Sequence, residues 1–210
     1  MNDMKVIYLL EIIGTIAFAI SGATVGIQKK MDILGVCMLG LTTAVGGGIL
    51  RDLILNIAPP AAFQDPVFAV TAILVSVVLF IPSVHKAYEH RNKIRETLVL
   101  IMDSIGLGIF TVVGVKIAEA NVTESNLFLV TFVGVLTGVG GGLLRDVFAG
   151  DTPYIFVKDF YACASIIGAW VCALLWTIIG ELPAMIAGAL ITVILRLLAA
   201  HFRWSLPKAH

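Results

Sequence analysis

The segment GGGILRD at residues 46–52 recurs almost unchanged as GGGLLRD at residues 140–146, and both copies lie inside long apolar stretches. Each glycine lowers helix stability by about 1 kcal/mol relative to alanine, and a charged side chain at the centre of a bilayer costs about 2.5–3.5 kcal/mol. Because the chain carries both costs twice, at matched positions, we expect these residues to have a function that requires them. We interpret the two segments as the broken helices and polar lining of a membrane permeation path.

The composition indicates that the membrane is the solvent of this chain. Of 210 residues, 59% are hydrophobic and 13% are charged, whereas soluble proteins average about 25% charged residues. The formal net charge is zero and no extended basic stripe is present, so nucleic acid is not an expected partner. The three cysteines lie in apolar stretches without the spacing of metal ligands, so we expect neither a metal site nor a cofactor.

Seven apolar stretches are long enough to cross a bilayer, which requires about 20 residues. The pattern predicts an all-α integral membrane protein with seven transmembrane helices in a single domain, residues 1–210. The predicted spans are residues 6–27, 33–56, 66–84, 97–118, 126–149, 156–179 and 183–201.

The two motif copies belong to a longer internal repeat. At an offset of 94 residues Arg51 aligns with Arg145, and at an offset of 92 residues Glu11 aligns with Asp103. Each repeat holds three predicted spans, an odd number, so the second unit is expected to insert upside down, as in the inverted repeats of many transporters. The predicted units are residues 1–84, residues 97–179 and an extra seventh helix at residues 183–201.

Lysine and arginine residues between the spans predict the orientation, because they concentrate on the cytoplasmic side. With the N-terminus outside, nine of them fall on the inner side and two, Lys5 and Lys116, fall on the outer side. We therefore predict an external N-terminus and a cytoplasmic C-terminus, in the cell (inner) membrane if the source is a prokaryote. The nine inner residues are Lys29, Lys30, Lys86, Arg91, Lys93, Arg95, Lys158, Arg203 and Lys208.

The charges inside the spans are expected to form one ion pair in each repeat. Adjacent residues on a helix do not face each other, so Arg51 and Asp52 are expected to find other partners. Depth along the spans places Glu11 near Arg51 at the outer face. The same argument places Asp103 near Arg145 at the inner face.

The remaining buried charges allow more than one role. Asp52 and Asp146 are expected either to cap neighbouring helices or to face a water-filled route. Lys116 is a candidate gating residue, although a lysine near a span end also reaches the headgroups, and Arg196 is expected to contact lipid or a partner. Intramembrane charges mark functional sites by default, yet the sequence equally allows that all of them are structural clamps.

The glycines also have two interpretations. Small residues spaced by four let helices approach closely in lipid, whereas three glycines in a row permit a kink or an unwound turn whose free carbonyl groups coordinate a cation. The predicted ion path and its kinks comprise Gly46, Gly47, Gly48, Gly140, Gly141, Gly142, Asp52 and Asp146.

Signatures of enzymes are missing from the sequence. The glycines are not followed by the lysine of a phosphate-binding loop, and neither a His-Glu-x-x-His nor a Gly-x-Ser-x-Gly motif occurs. We therefore expect a protein that is not an enzyme and has no catalytic residue.

The paired Gly-Gly-Gly-x-x-Arg-Asp motifs resemble those of the prokaryotic branch of the trimeric intracellular cation channel (TRIC) family, and the likeness extends over the whole chain. The resemblance implies a homotrimer with one ion route in each subunit, permeable to monovalent cations, chiefly potassium. It also implies that kinked helices 2 and 5 flank the route, which maps onto Gly46–Gly48 and Gly140–Gly142. Some bacterial relatives with the same domain are described as glycine transporters. A lysine-bearing pore motif of eukaryotic members has no clear copy here.

Three functions therefore remain after the sequence analysis. The leading one is a passive, potassium-permeable cation channel surrounded by membrane lipids, in which acidic side chains raise the local cation concentration. The second is an alternating-access carrier of glycine or a similar small zwitterion, held by an arginine and an aspartate. The third is a structural or lipid-binding membrane protein that conducts nothing.

Overall fold

All regular structure in the described part of the chain is helical. The computed structural model describes residues 2–84, 92–122, 126–157 and 160–204. The predicted inner residues Lys86, Arg91, Lys158 and Lys208 lie outside these ranges. The helices are α1 (Asn2–Gln28), α2 (Ile33–Ile54), α3 (Ala61–Gln64), α4 (Val67–Phe80), α5 (Asn92–Asn121), α6 (Leu127–Phe148), α7 (Tyr154–Val157), α8 (Tyr161–Ile179) and α9 (Glu181–Phe202).

Six of these helices are long and apolar enough to cross a membrane, which confirms the all-α membrane class. They are α1, α2, α5, α6, α8 and α9. The third predicted span corresponds to α4, which is apolar but has only 14 residues. At 1.5 Å per residue it extends about 21 Å, less than the roughly 30 Å of a bilayer core.

Helices α2 and α6 begin with equivalent caps. The Asp32 carboxylate accepts a hydrogen bond of 2.8 Å from the amide of Gly35, and the Asn126 side chain accepts one of 3.1 Å from the amide of Leu129. Such caps satisfy amide groups that have no partner within the first helical turn. The two helices thus start in the same way at positions 94 residues apart.

Helices α2 and α6 cross in direct backbone contact at their glycine motifs. A Cβ atom at Gly47 would overlap the carbonyl oxygen of Thr137, and one at Gly141 would overlap the carbonyl oxygen of Thr43. Only glycine therefore fits at these two crossing positions, as expected for small residues at close helix contacts in lipid.

The expectation of an unwound turn at the glycines is wrong. Helix α2 continues without interruption from Ile33 to Ile54, and α6 continues from Leu127 to Phe148. The carbonyl groups near the glycines consequently remain within helical backbone rather than free to coordinate a cation. Close packing of the two helices compensates for the low helix propensity of glycine, so a break is unnecessary.

Helices α1 and α5 run antiparallel through the centre of the bundle. A Cβ atom at Gly14 would contact Ile109, and Phe18, one turn further along α1, packs onto Gly106. The bundle therefore has two ends, which we name by residues of α1: the Glu11 end and the Lys29 end. Helices α6, α8 and α9 pack around α5, and their shared apolar core includes Val112, Val130, Ala169 and Met185.

Candidate functional site

A cavity of about 190 Å³ lies at the Glu11 end of the bundle, between α1, α2, α5 and the segment that begins α3. Its polar lining brings together charged residues that are far apart in sequence, and the rest of its wall is apolar. The polar residues are Glu11, Thr15, Arg51 and Asp52, and Gly48 adds a wall without a side chain.

Arg51 and Asp52 bind each other directly, contrary to the expectation from their adjacency. The Arg51 Nε and Nη2 atoms each lie 2.7 Å from Asp52 Oδ1, because the long guanidinium side chain folds back along the helix. The other carboxylate oxygen of Asp52 accepts a hydrogen bond of 2.8 Å from the amide of Ala61 at the start of α3. Asp52 therefore caps a neighbouring helix, which is one of its two expected roles.

Glu11 lines the same cavity but does not complete the expected ion pair with Arg51. Among the described residues no ion pair joins the two side chains, since the Arg51 guanidinium is already engaged by Asp52. The prediction that Glu11 and Arg51 lie at the same end of the bundle is correct. The prediction that they form an ion pair with each other is wrong. The Glu11 carboxylate thus contributes negative charge to the cavity without a guanidinium bound to it.

A second charged cluster lies towards the Lys29 end and surrounds Arg145. The Arg145 Nη1 atom lies 2.6 Å from Asp103 Oδ1 and 2.6 Å from the Ser21 hydroxyl. The Nε and Nη2 atoms lie 2.9 and 2.8 Å from Asp146 Oδ1. The expected Asp103–Arg145 contact is thus present, and the same guanidinium also binds its neighbour Asp146.

Asp146 repeats the second contact of Asp52 as well. Its Oδ2 atom accepts a hydrogen bond of 2.8 Å from the amide of Tyr154, the first residue of α7. Each motif therefore connects an arginine, an aspartate and the start of a short helix. These hydrogen bonds offset the high cost of placing ionised groups in a low-dielectric environment.

Tyr161 and Arg196 complete the Arg145 cluster, and neither role was predicted from the sequence. The Arg196 guanidinium lies 5.0 Å from the centre of the Tyr161 ring, a cation–π distance. Arg196 is buried, so the expectation that it contacts lipid or a partner is wrong. The only signal in the sequence was a charge inside the seventh span, which identifies no partner.

The two clusters lie towards opposite ends of α1. Glu11 and Ser21 are ten positions apart, which corresponds to about 15 Å along a helix. The Arg51 cluster borders a cavity, whereas the Arg145 cluster is buried.

Two ion pairs lie nearer the ends of the bundle. Lys116, the candidate gating residue, lies 3.7 Å from Glu181 at the start of α9. At the opposite end Lys29 forms an ion pair of 2.5 Å with Asp151, which follows α6. Within the described ranges, no three histidine, cysteine or acidic residues come close enough to form a metal site.

The fold and the charged clusters define a class of protein: a helical integral membrane protein whose charged side chains are buried between its helices. A sequence model of the family described as glycine transporter matches residues 8–83 and 100–177 of this chain. The inner membrane protein YadS of Escherichia coli is 34% identical over 204 residues, which are 96% of this chain and 95% of YadS. The membrane protein YvgT of Bacillus subtilis is 34% identical over 201 residues, 95% of each chain.

Solved structures give the same assignment. A TRIC cation channel studied for its conductance is 38% identical, with a TM-score of 0.84 over 96% of each chain. The TRIC orthologue from Rhodobacter sphaeroides is 30% identical, with a TM-score of 0.84 over 95% of this chain and 99% of that one. These structures are channels rather than enzymes. The chain belongs to the prokaryotic TRIC family, the same family that the glycine transporter model describes.

Proposed function

We propose that this protein is a passive cation channel, permeable to potassium, with one ion path in each subunit of a homotrimer. The observation that carries the proposal is the cavity at the Glu11 end, where the Glu11 carboxylate has no bound guanidinium. A cavity of negative charge with apolar walls raises the local cation concentration. Its location in a chain 38% identical to a TRIC cation channel supports the same conclusion.

The proposed path runs from the cavity along the α2–α6 crossing to the Arg145 cluster. Asp52 and Asp146 border it at the two ends, and each is neutralised by its own arginine, which prevents the tight cation binding that would stop conduction. In this proposal the glycines shape the path through the close packing of α2 and α6 and through kinks in these two helices. These glycines are Gly46, Gly47, Gly48, Gly140, Gly141 and Gly142.

The architecture proposed for this path is an inverted repeat of residues 1–84 and residues 97–179, followed by α9. Two features favour it: the equal caps of α2 and α6, and a family model that matches two stretches of similar length. In this proposal α4 makes the third of seven crossings, because Phe68 near its start lines the cavity and Ser76 further along packs on Gly40 of α2.

The proposed orientation has the N-terminus outside and the Lys29 end in the cytoplasm. Lys29, Lys30 and Arg203 are then on the inner side, in agreement with the distribution of positive charge in membrane proteins. The E. coli relative is described as an inner membrane protein, and we assign this chain to the same kind of membrane. Membrane lipids surround the trimer.

The carrier of glycine is less well supported than the channel. The carrier hypothesis uses an arginine to hold the substrate carboxylate, but Arg51 and Arg145 are both bound by aspartates. The two arginines also belong to different clusters rather than to one occluded pocket. Because the family is described as glycine transporter, the test below includes glycine transport as one of its outcomes.

Recording of single-channel currents in planar bilayers under a KCl gradient tests the proposal. We expect unitary currents with a reversal potential of the sign that cation selectivity requires. Glu11→Gln is expected to lower the conductance about twofold or more at low salt, with less effect at high salt, because screening weakens its field. Glu119→Gln is the matched control, since Glu119 lies on α5 but does not line the cavity.

Other outcomes contradict the channel. Silent bilayers together with saturable glycine uptake into liposomes of the same preparation would establish the carrier. Silent bilayers without uptake would leave a structural role.

A further inference from the structure

Tyr161 occupies a position whose counterpart in the first repeat is Val67. The two residues are 94 positions apart and each is the first residue of its helix, α8 or α4. Their environments differ sharply: Val67 is 42% exposed and Tyr161 is 3% exposed. Tyr161 is therefore packed inside the bundle at the Lys29 end, whereas Val67 is exposed and does not line the cavity at the Glu11 end.

The glycines of the two motifs show what the Tyr161 side chain fills. A Cβ atom at Gly48 would have only an Arg51 nitrogen near it, at 3.8 Å, because Gly48 borders the cavity. A Cβ atom at Gly142 would lie 2.6 Å from the Tyr161 hydroxyl oxygen and 3.4 Å from an Asp103 carboxylate oxygen. The tyrosine hydroxyl thus occupies the place that corresponds to the cavity beside Gly48.

Residues from three further helices hold the tyrosine. Its ring packs with Leu107 of α5 and Val139 of α6, and the Arg196 guanidinium of α9 lies 5.0 Å from the ring centre. Helix α9 has no counterpart in the proposed repeat, so it adds a contact at this end that the Glu11 end lacks.

We propose that Tyr161 plugs the ion path at the Lys29 end, and that Arg196 positions it there. The inference rests on the proposed function in one respect only: that the space between the two clusters is the ion path. A cation that reaches the Arg145 cluster from the cavity meets the Tyr161 side chain, whose hydroxyl lies against Gly142, instead of water. Conduction then requires that Tyr161 withdraw from Gly142, which opens an inner cavity like the outer one.

Chemical accessibility tests the plug without any need for ion flux. Ser165 lies one turn beyond Tyr161 on α8 and is fully buried. In a variant whose native cysteines are alanine, Ser165→Cys is expected to react slowly with a charged, membrane-impermeant thiol reagent. Adding Tyr161→Val is expected to raise the reaction rate about tenfold, the factor that corresponds to 1.4 kcal/mol. Adding Tyr161→Phe, which keeps the ring but removes the hydroxyl beside Gly142, is expected to raise the rate less than Tyr161→Val does.

Two variants, one at Tyr161 and one at Arg196, test the same inference in bilayers. Tyr161→Val is expected to raise the open probability about tenfold. Arg196→Met is expected to change the open probability in the direction of Tyr161→Val, with a smaller effect, because the ring is retained but less firmly held. Thermal unfolding in detergent identifies any variant that is misfolded, and Tyr161→Leu replaces Tyr161→Val in that case.

The outcomes separate this inference from the proposed function. Equal thiol reaction rates in the Tyr161 and Tyr161→Val backgrounds, with unaltered open probability, would overturn the plug and leave the channel intact. If Tyr161→Val raises the thiol reaction rate of Ser165→Cys but the protein carries no current in bilayers, the plug is supported and the channel is overturned.

Discussion

Arg51 and Arg145 show how one local motif acquires two environments at the scale of single residues. Each arginine binds the aspartate that follows it, and each aspartate caps the start of a short helix. Arg51, 8% exposed, borders a cavity, whereas Arg145, 1% exposed, also binds Asp103 and Ser21. Asp52 is as deeply buried as Asp103 and Asp146, but Arg51 binds one buried carboxylate and Arg145 binds two.

Removal of each arginine is therefore expected to have unequal effects on stability. Arg145→Gln leaves Asp103 and Asp146 as buried charges without a cation, so we expect the free energy of unfolding to fall by about 3–5 kcal/mol. Arg51→Gln is expected to cost clearly less, because it leaves one buried carboxylate, Asp52, without a cation instead of two. Equilibrium unfolding in detergent measures both losses, and equal losses would contradict this difference in the number of unpaired carboxylates.

At the scale of helices, the crossing of α2 and α6 explains why the motif contains glycine. Gly47 and Gly141 each lie against a carbonyl oxygen of the opposite helix, whereas Gly48 faces the cavity. Adjacent glycines in one triplet thus have different roles: one permits helix contact and the next lines open space.

Alanine substitutions distinguish these two roles. Gly47→Ala is expected to lower the free energy of unfolding by about 1–3 kcal/mol, because its methyl group forces the helices apart. Gly48→Ala has room for the methyl group and is expected to be neutral or to stabilise by up to about 1 kcal/mol, through higher helix propensity. Thermal unfolding of the two variants beside wild type measures the difference. A larger loss for Gly48→Ala would contradict the crossing geometry.

The sequence predicted the helices and the end of the bundle at which each charge lies, because hydropathy and the repeat carry that information directly. It predicted the Asp103–Arg145 contact by depth, but not that an arginine folds back onto the adjacent aspartate, since helix spacing alone ignores the length of the side chain. It also did not predict the burial of Tyr161 and Arg196. The side chain that fills a given space is determined by the packing of three helices. A pattern along one helix does not carry that information.

At the scale of the whole molecule, the topology depends on the short helix α4. Its length of about 21 Å is below the bilayer core of about 30 Å, yet it leads from beside the cavity towards the Lys29 end, where α5 begins. If α4 crosses, the chain has seven spans and its termini lie on opposite sides of the membrane. If it does not cross, six spans place both termini on the same side.

Fusion reporters distinguish the two topologies in cells. We expect green fluorescent protein after residue 204 to fluoresce, because the C-terminus is cytoplasmic, and alkaline phosphatase at the same point to be inactive, since its disulfides form only in an oxidising compartment. In a variant without native cysteines, Lys5→Cys is expected to react with a membrane-impermeant thiol reagent added to the outside, because the N-terminus is external. The matched control joins each reporter after residue 30, on the Lys29 side. Reporters and thiol labelling that place both termini in the cytoplasm would contradict seven crossings and, with them, the antiparallel relation of the two repeats that gives the ion path an open and a closed end.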